Sequence, residues 1–164
     1  MFVFSLDDEK SNLALQVLPL LFPAGVKKQG QRSVQRATME ESMPAFINVE
    51  KLFREMSLFA FLHIDGTNLP MYLEGKREPH VLVFGERKNP EQAFVAVEGD
   101  AIPCTSLLKA VDVCFKLTYV LDISYCWQCS HTYTYLQKYV YGLGMGDGPP
   151  TSSVVLLNSF VEQE

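Results

Sequence analysis

The chain has one tryptophan, three histidines and four cysteines among its 164 residues. So few imidazoles and thiols leave little material for a metal cage or a nucleophile–base pair. Asn-x-Ser/Thr sequons are absent, and the start, Met1-Phe-Val-Phe-Ser-Leu6, lacks the basic stretch of a secretory leader and turns acidic at Asp7, Asp8 and Glu9. Reduced thiols in an intracellular setting, cytoplasmic or nuclear, are the expectation. A long apolar run is missing too. Leu13 to Val26 is interrupted by Gln16, Pro19, Pro23 and Gly25, whereas a spanning helix needs about 20 apolar residues. No membrane span is expected. Positive charge is also short: 14 Lys and Arg face 19 Asp and Glu, for a net charge of −5. Without the general electrostatic footprint of a nucleic-acid binder, nucleic acid is not the expected partner.

What is present fits a folded chain, with 48% hydrophobic and 20% charged residues. Residues 1–23 read as a peripheral helix, with Ser5 as its cap, acids in its first turn and Pro19 as its kink or end. Residues 24–42 read as a basic flexible linker. Between Ala24 and Thr38, Lys27, Lys28, Arg32 and Arg36 stand without an acid, and without these four charges the chain would be at −9. Residues 43–65 form an uncertain helical segment, with a helix expected from about Val49 to Leu62.

Residues 66–143 carry the α+β core. Pro79–Gly85, Gln92–Val97 and Ala101–Pro103 are β-rich runs separated by a polar loop and by Glu98-Gly99-Asp100. They predict a small antiparallel meander over about 79–103. Thr105 or Ser106 caps a helix over about 105–121, where Lys109, Asp112 and Lys116 form one polar stripe. Its other residues are so apolar that the helix is expected to be central and buried, packed against the meander. A second helix spans about 127–142. Residues 144–164 are a Gly/Pro-rich connector and tail, with a helix or strand from Thr151 to Phe160.

Few features suggest chemistry. Cys126-Trp-Gln-Cys129, with His131 nearby, has a spacing shared by thiol-redox sites and half zinc sites. Cys104 or His131 would have to complete a metal shell, and Cys114 reads as core filler. Gly142 to Gly148 follows a helix and lacks Gly-Lys-Ser/Thr, so it reads as a connector and not as a phosphate loop. His63, His80 and His131 are scattered. On the second helix, Tyr133 is expected in the core. Tyr135, Tyr139 and Tyr141 are expected on the surface, where they would suit a protein contact.

Several segments carry a family resemblance. They are Val17-Leu-Pro-Leu-Leu-Phe-Pro23, Ala45-Phe-Ile-Asn48, Gly66-Thr-Asn-Leu-Pro70, Pro79–Gly85 and, most distinctive, Leu108-Lys-Ala-Val-Asp-Val-Cys-Phe-Lys116. Tyr125–Cys129 and Leu136–Tyr141 add to them. Together they resemble the C-terminal region of the vertebrate, fish-expanded sterile alpha motif domain-containing protein 3-like proteins, over most of residues 11–143. The sterile alpha motif itself is not among these residues. The resemblance implies a fragment or short paralogue of a larger protein, and it brings no catalytic residues. Two departures stand out: Cys126 replaces a proline common in the family, and Glu50 to His63 reads either as an insertion or as translated sequence from an imperfect gene model. The sum is a non-enzymatic protein-interaction or scaffold module, without a cofactor. The alternative is a thiol-redox or zinc site on Cys126 and Cys129.

Overall fold

The run Val81-Leu-Val83 has no polar residue to face water, and a strand of that kind is stable only when covered on both faces. In the computed structural model, which describes residues 6–30, 33–50, 78–144 and 152–161, it becomes an inner strand with all three residues buried. The chain divides into two compact units.

The first unit holds residues 1–16 and 47–124. Its sheet has four strands: β3 (Ile47–Glu50), β4 (His80–Gly85), β5 (Pro90–Val97) and β6 (Asp100–Cys104), in that spatial order. The predicted meander is β4-β5-β6, antiparallel throughout. Val81 sits opposite Val95, and Leu82 opposite Phe94. Phe84 and Phe94 meet edge to face at 6.1 Å. Glu98 and Gly99, both at positive φ, make the tight turn between β5 and β6.

The fourth strand changes the architecture. β3 pairs parallel to β4, Ile47 opposite Val81 and Glu50 opposite Phe84, so the sheet is mixed. It also corrects the helix expected from Val49, because residues 47–50 are extended. The rest of that expectation, residues 51–65, lies outside the described residues, as does the start of the core at residue 66.

Helix α1 (Leu6–Val17) reaches the β4–β5 loop. Gln16 Nε2 donates to the Arg87 carbonyl at 2.6 Å, and Asn12 Nδ2 donates to that of Lys88 at 3.4 Å. The helix expected over 105–121 is α3 (Leu107–Val120), packed on β4, β5 and β6. Ser106 is its cap: the Lys109 N–H donates to Ser106 Oγ at 3.1 Å. Ser106→Ala is expected to lower stability by about 1 kcal/mol, read from a urea denaturation midpoint.

The second unit holds residues 17–46 and 125–164. The expected core over 66–143 is therefore divided after Ser124. Nor are residues 24–42 a linker throughout. They build an antiparallel hairpin, β1 (Val26–Gln29) and β2 (Ser33–Arg36), and the start of α2 (Met39–Phe46). Reciprocal capping starts α2: the Glu41 N–H donates to Thr38 Oγ1, and the Thr38 N–H to Glu41 Oε2. The second helix is also less regular than expected. A 3-10 turn (Trp127–Cys129) leads into α4 (Ser130–Tyr135), and residues Leu136–Val140 follow with π-helical geometry. The tail forms α5 (Ser152–Val161).

Candidate functional site

Helix α3 buries one stripe, Leu107, Ala110, Val111, Cys114, Phe115 and Thr118. These are steps of three and four residues, which trace one side of a helix. The expectation of burial on most sides is thereby corrected. Its opposite side stays open, with Leu108 64%, Tyr119 43% and Val120 77% exposed, and Leu121 follows at 54%. Between them, Asp112 bridges two lysines, Lys109 at 3.0 Å and Lys116 at 2.6 Å. Exposed ion pairs of this kind add little stability. Their effect is to fix three charged side chains in a row beside large apolar ones. An aromatic and aliphatic surface with a polar centre of defined geometry is suited to contact another protein.

The tyrosines chosen from sequence are placed otherwise. Tyr135 is buried, at 5.4 Å from the Phe22 ring and 5.8 Å from that of Tyr139. Tyr139 and Tyr141 are half-buried. Tyr133 is buried as expected, stacked on Tyr125 at 4.9 Å and edge-on to Phe46 at 5.5 Å. This segment therefore supplies an aromatic core to its own unit. The contact role proposed for Tyr135 is corrected, because its ring has no open face to offer.

Burial also pushes the Tyr135 phenol above its ordinary value. The neutral phenol is the form the fold favours. Its stabilising effect is full below about pH 10 and is lost as pH rises through the higher folded value. Absorbance at 295 nm should show a late phenolate step that Tyr135→Phe removes.

Cys126 and Cys129 lie on one turn, where the Cys129 N–H donates to the Cys126 carbonyl at 3.1 Å. Cys126 is half-buried, with Sγ 2.8 Å from Gln128 Oε1, and Cys129 is buried. None of the four cysteines is in a disulfide. Cys104 and Cys114 belong to the other unit. Cys104 is half-buried at the end of β6, and burial raises its pKa against a smaller lowering influence of Lys109. Cys114 is fully buried on α3, as core filler would be. Among the described residues, no three His, Cys, Asp or Glu side chains gather in a way that could hold a metal ion. His80 is on β4, with Nδ1 at 3.0 Å from the Glu78 carbonyl oxygen, and His131 is on α4. His63 lies outside the described residues. Among those residues, no helix is long and apolar enough to cross a membrane.

No protein-family model, curated protein or solved structure matches the chain. The α3 surface was missed in sequence because an apolar residue carries the same letter whether its side is covered or open. One signal was available: the buried stripe already satisfies a helical period without Leu108, Tyr119 or Val120.

Proposed function

We propose that the chain is a non-enzymatic protein-interaction module whose contact surface is the open side of α3. The observation that carries this reading is the exposure of Leu108, Tyr119 and Val120 around the Lys109–Asp112–Lys116 ion pairs. An isolated surface leucine or valine is ordinary. Three large apolar side chains on one helix side, next to charges of fixed geometry, favour a partner. The resemblance of Leu108 to Lys116 to a family named for an interaction domain supports the same reading.

A photo-crosslinking amino acid placed at Val120 tests it in cells. Discrete protein adducts are expected there, weakened by Leu108→Asp and absent when the probe stands at the exposed Glu98. Equal adducts from both positions would overturn the assignment.

A second reading, the thiol-redox or zinc site, draws support from the close placement of Cys126 and Cys129 on one turn. Two thiolates supply half of a tetrahedral zinc shell, so further ligands would have to come from elsewhere. About one zinc per purified chain, lost in Cys126→Ser, would favour it over the interaction reading. Less than about 0.1 zinc per chain would remove the metal version.

A further inference from the structure

We propose that the open edge of β2 takes up an extended peptide of alternating apolar and acidic residues as a third strand. The side-chain pattern of the hairpin is the first ground. Its register sets Val26 opposite Arg36 and Lys28 opposite Val34. Directly opposed residues share a face, so these four form one side of the ribbon. All four are exposed. Two cations and two valines thus alternate diagonally across a surface with nothing over it among the described residues. Lys27, Lys28 and Arg36 make no ion pair with any described residue.

The backbone is the second ground. The Ala37 N–H donates to the Gly25 carbonyl at 2.9 Å, which makes this a hydrogen-bonded pair. Pair types alternate along an antiparallel ladder. Val26/Arg36 and Lys28/Val34 are then non-hydrogen-bonded pairs, and the N–H and C=O groups of Val34 and Arg36 point away from β1. The entry to β1 is occupied within its own unit, because a Cβ on Gly25 would lie 1.8 Å from the Trp127 carbonyl oxygen. The β2 edge has no third strand among the described residues. Strand addition gains affinity from such main-chain groups and specificity from alternate side chains.

The chemistry of the occupant follows from what it would meet. On the Val34/Arg36 face, a paired strand would set an apolar residue beside Val34 and an acid beside Arg36. On the other face it would meet Ser33 and Gln35, which suit small polar residues. Charge distribution favours a short peptide over a polyanion or a lipid surface. The four cations of residues 24–38 sit in a chain that carries −9 elsewhere. A long polyanion or a membrane surface would meet that negative field, whereas a short peptide meets the hairpin alone. The strands also lack aromatic residues on which bases could stack.

The site is on a different unit from α3 and does not depend on the α3 surface. Its test uses the full chain and a fluorescent probe peptide, Glu-Thr-Val-Thr-Glu-Thr-Val, read by anisotropy. Binding is expected to weaken at least about tenfold when the probe glutamates become lysines, and equally in Arg36→Glu. Arg36→Lys should stay within about threefold of the parent, since a point charge remains. Val120→Asp on α3 should leave probe binding unchanged. These residues are exposed, so circular dichroism should show every variant folded. Equal binding of the glutamate and lysine probes would overturn the proposal. So would no probe binding at all, which would leave Arg36 as a guard against edge pairing. Preferential binding of an oligothymidine or of phosphatidylserine vesicles, lost in Arg36→Glu, would overturn it in favour of a polyanion.

Discussion

Phe46→Ala is expected to destabilise the protein by about 3–5 kcal/mol, the range for deleting a buried phenylalanine ring. Phe46 is 1% exposed and ends α2 with its ring edge-on to Tyr133. Tyr133 in turn stacks on Tyr125, whose hydroxyl is 2.9 Å from Gln137 Oε1. Removing the Phe46 ring therefore opens a void and also frees Tyr133 to tilt. Each aromatic pair is worth about 0.5–1.5 kcal/mol beyond its buried area. With a urea slope of about 2 kcal/mol per molar, the midpoint should fall by about 1.5–2.5 M. Val140→Ala, at a residue 57% exposed in the Leu136–Val140 stretch of the same unit, should move it by under about 0.3 M. Comparable shifts in the two variants would show that the aromatic cluster is not the core of its unit.

Gly25→Ala should have the second large effect, at least about 2 kcal/mol. The added Cβ would fall 1.8 Å from the Trp127 carbonyl oxygen and 2.8 Å from its carbon. The obstacle is backbone, which cannot step aside as a side-chain tip can. Relief requires moving either the entry to β1 or the turn that holds Cys126 and Cys129. The Ala37 to Gly25 hydrogen bond that starts the hairpin would be strained in the first case. Gly30→Ala offers the contrast. No atom lies within 4 Å of its Cβ position, so its cost comes only from its φ of +68°, about 1 kcal/mol. Thermal unfolding should rank Gly25→Ala below Gly30→Ala, and the reverse order would contradict the close approach.

The elements that could be read from sequence are those whose partners are near in the chain. β4, β5 and β6 follow one another, with apolar runs and turn residues between them, and α3 carries a capping serine and an uninterrupted helical period. β3 was hidden because its partner Val81 is far along the chain from Ile47, and a parallel pairing leaves no turn signal. The hairpin was hidden for another reason. Val26-Lys-Lys-Gln29 and Ser33-Val-Gln-Arg36 have no buried face, so the alternation that marks a strand is absent. Thr38 and Glu41 stand at capping-box spacing, a signal for the start of α2 that reading residues 24–42 as a linker passed over.

The contact surface was misplaced for a related reason. A tyrosine suits an interface and an aromatic core equally well, because its ring is apolar and its hydroxyl polar. Tyr135 went to the core because Phe22, distant in the chain, supplies a ring against it. That partner is invisible to any local pattern. The open side of α3 has the opposite history: its residues look like core, and the fold leaves them outside.

The open side of α3 either binds a partner or serves the fold. The double variant Leu108→Asp/Val120→Asp separates the two, with folding and the photo-adducts formed from a probe at Tyr119 measured on the same protein. An exposed contact surface predicts a melting temperature within about 3 °C of the parent, because surface changes cost little, together with loss of the adducts. A fall of about 10 °C or more, which would mean that these side chains are packed within the fold, or adducts that persist in a folded variant, would contradict it.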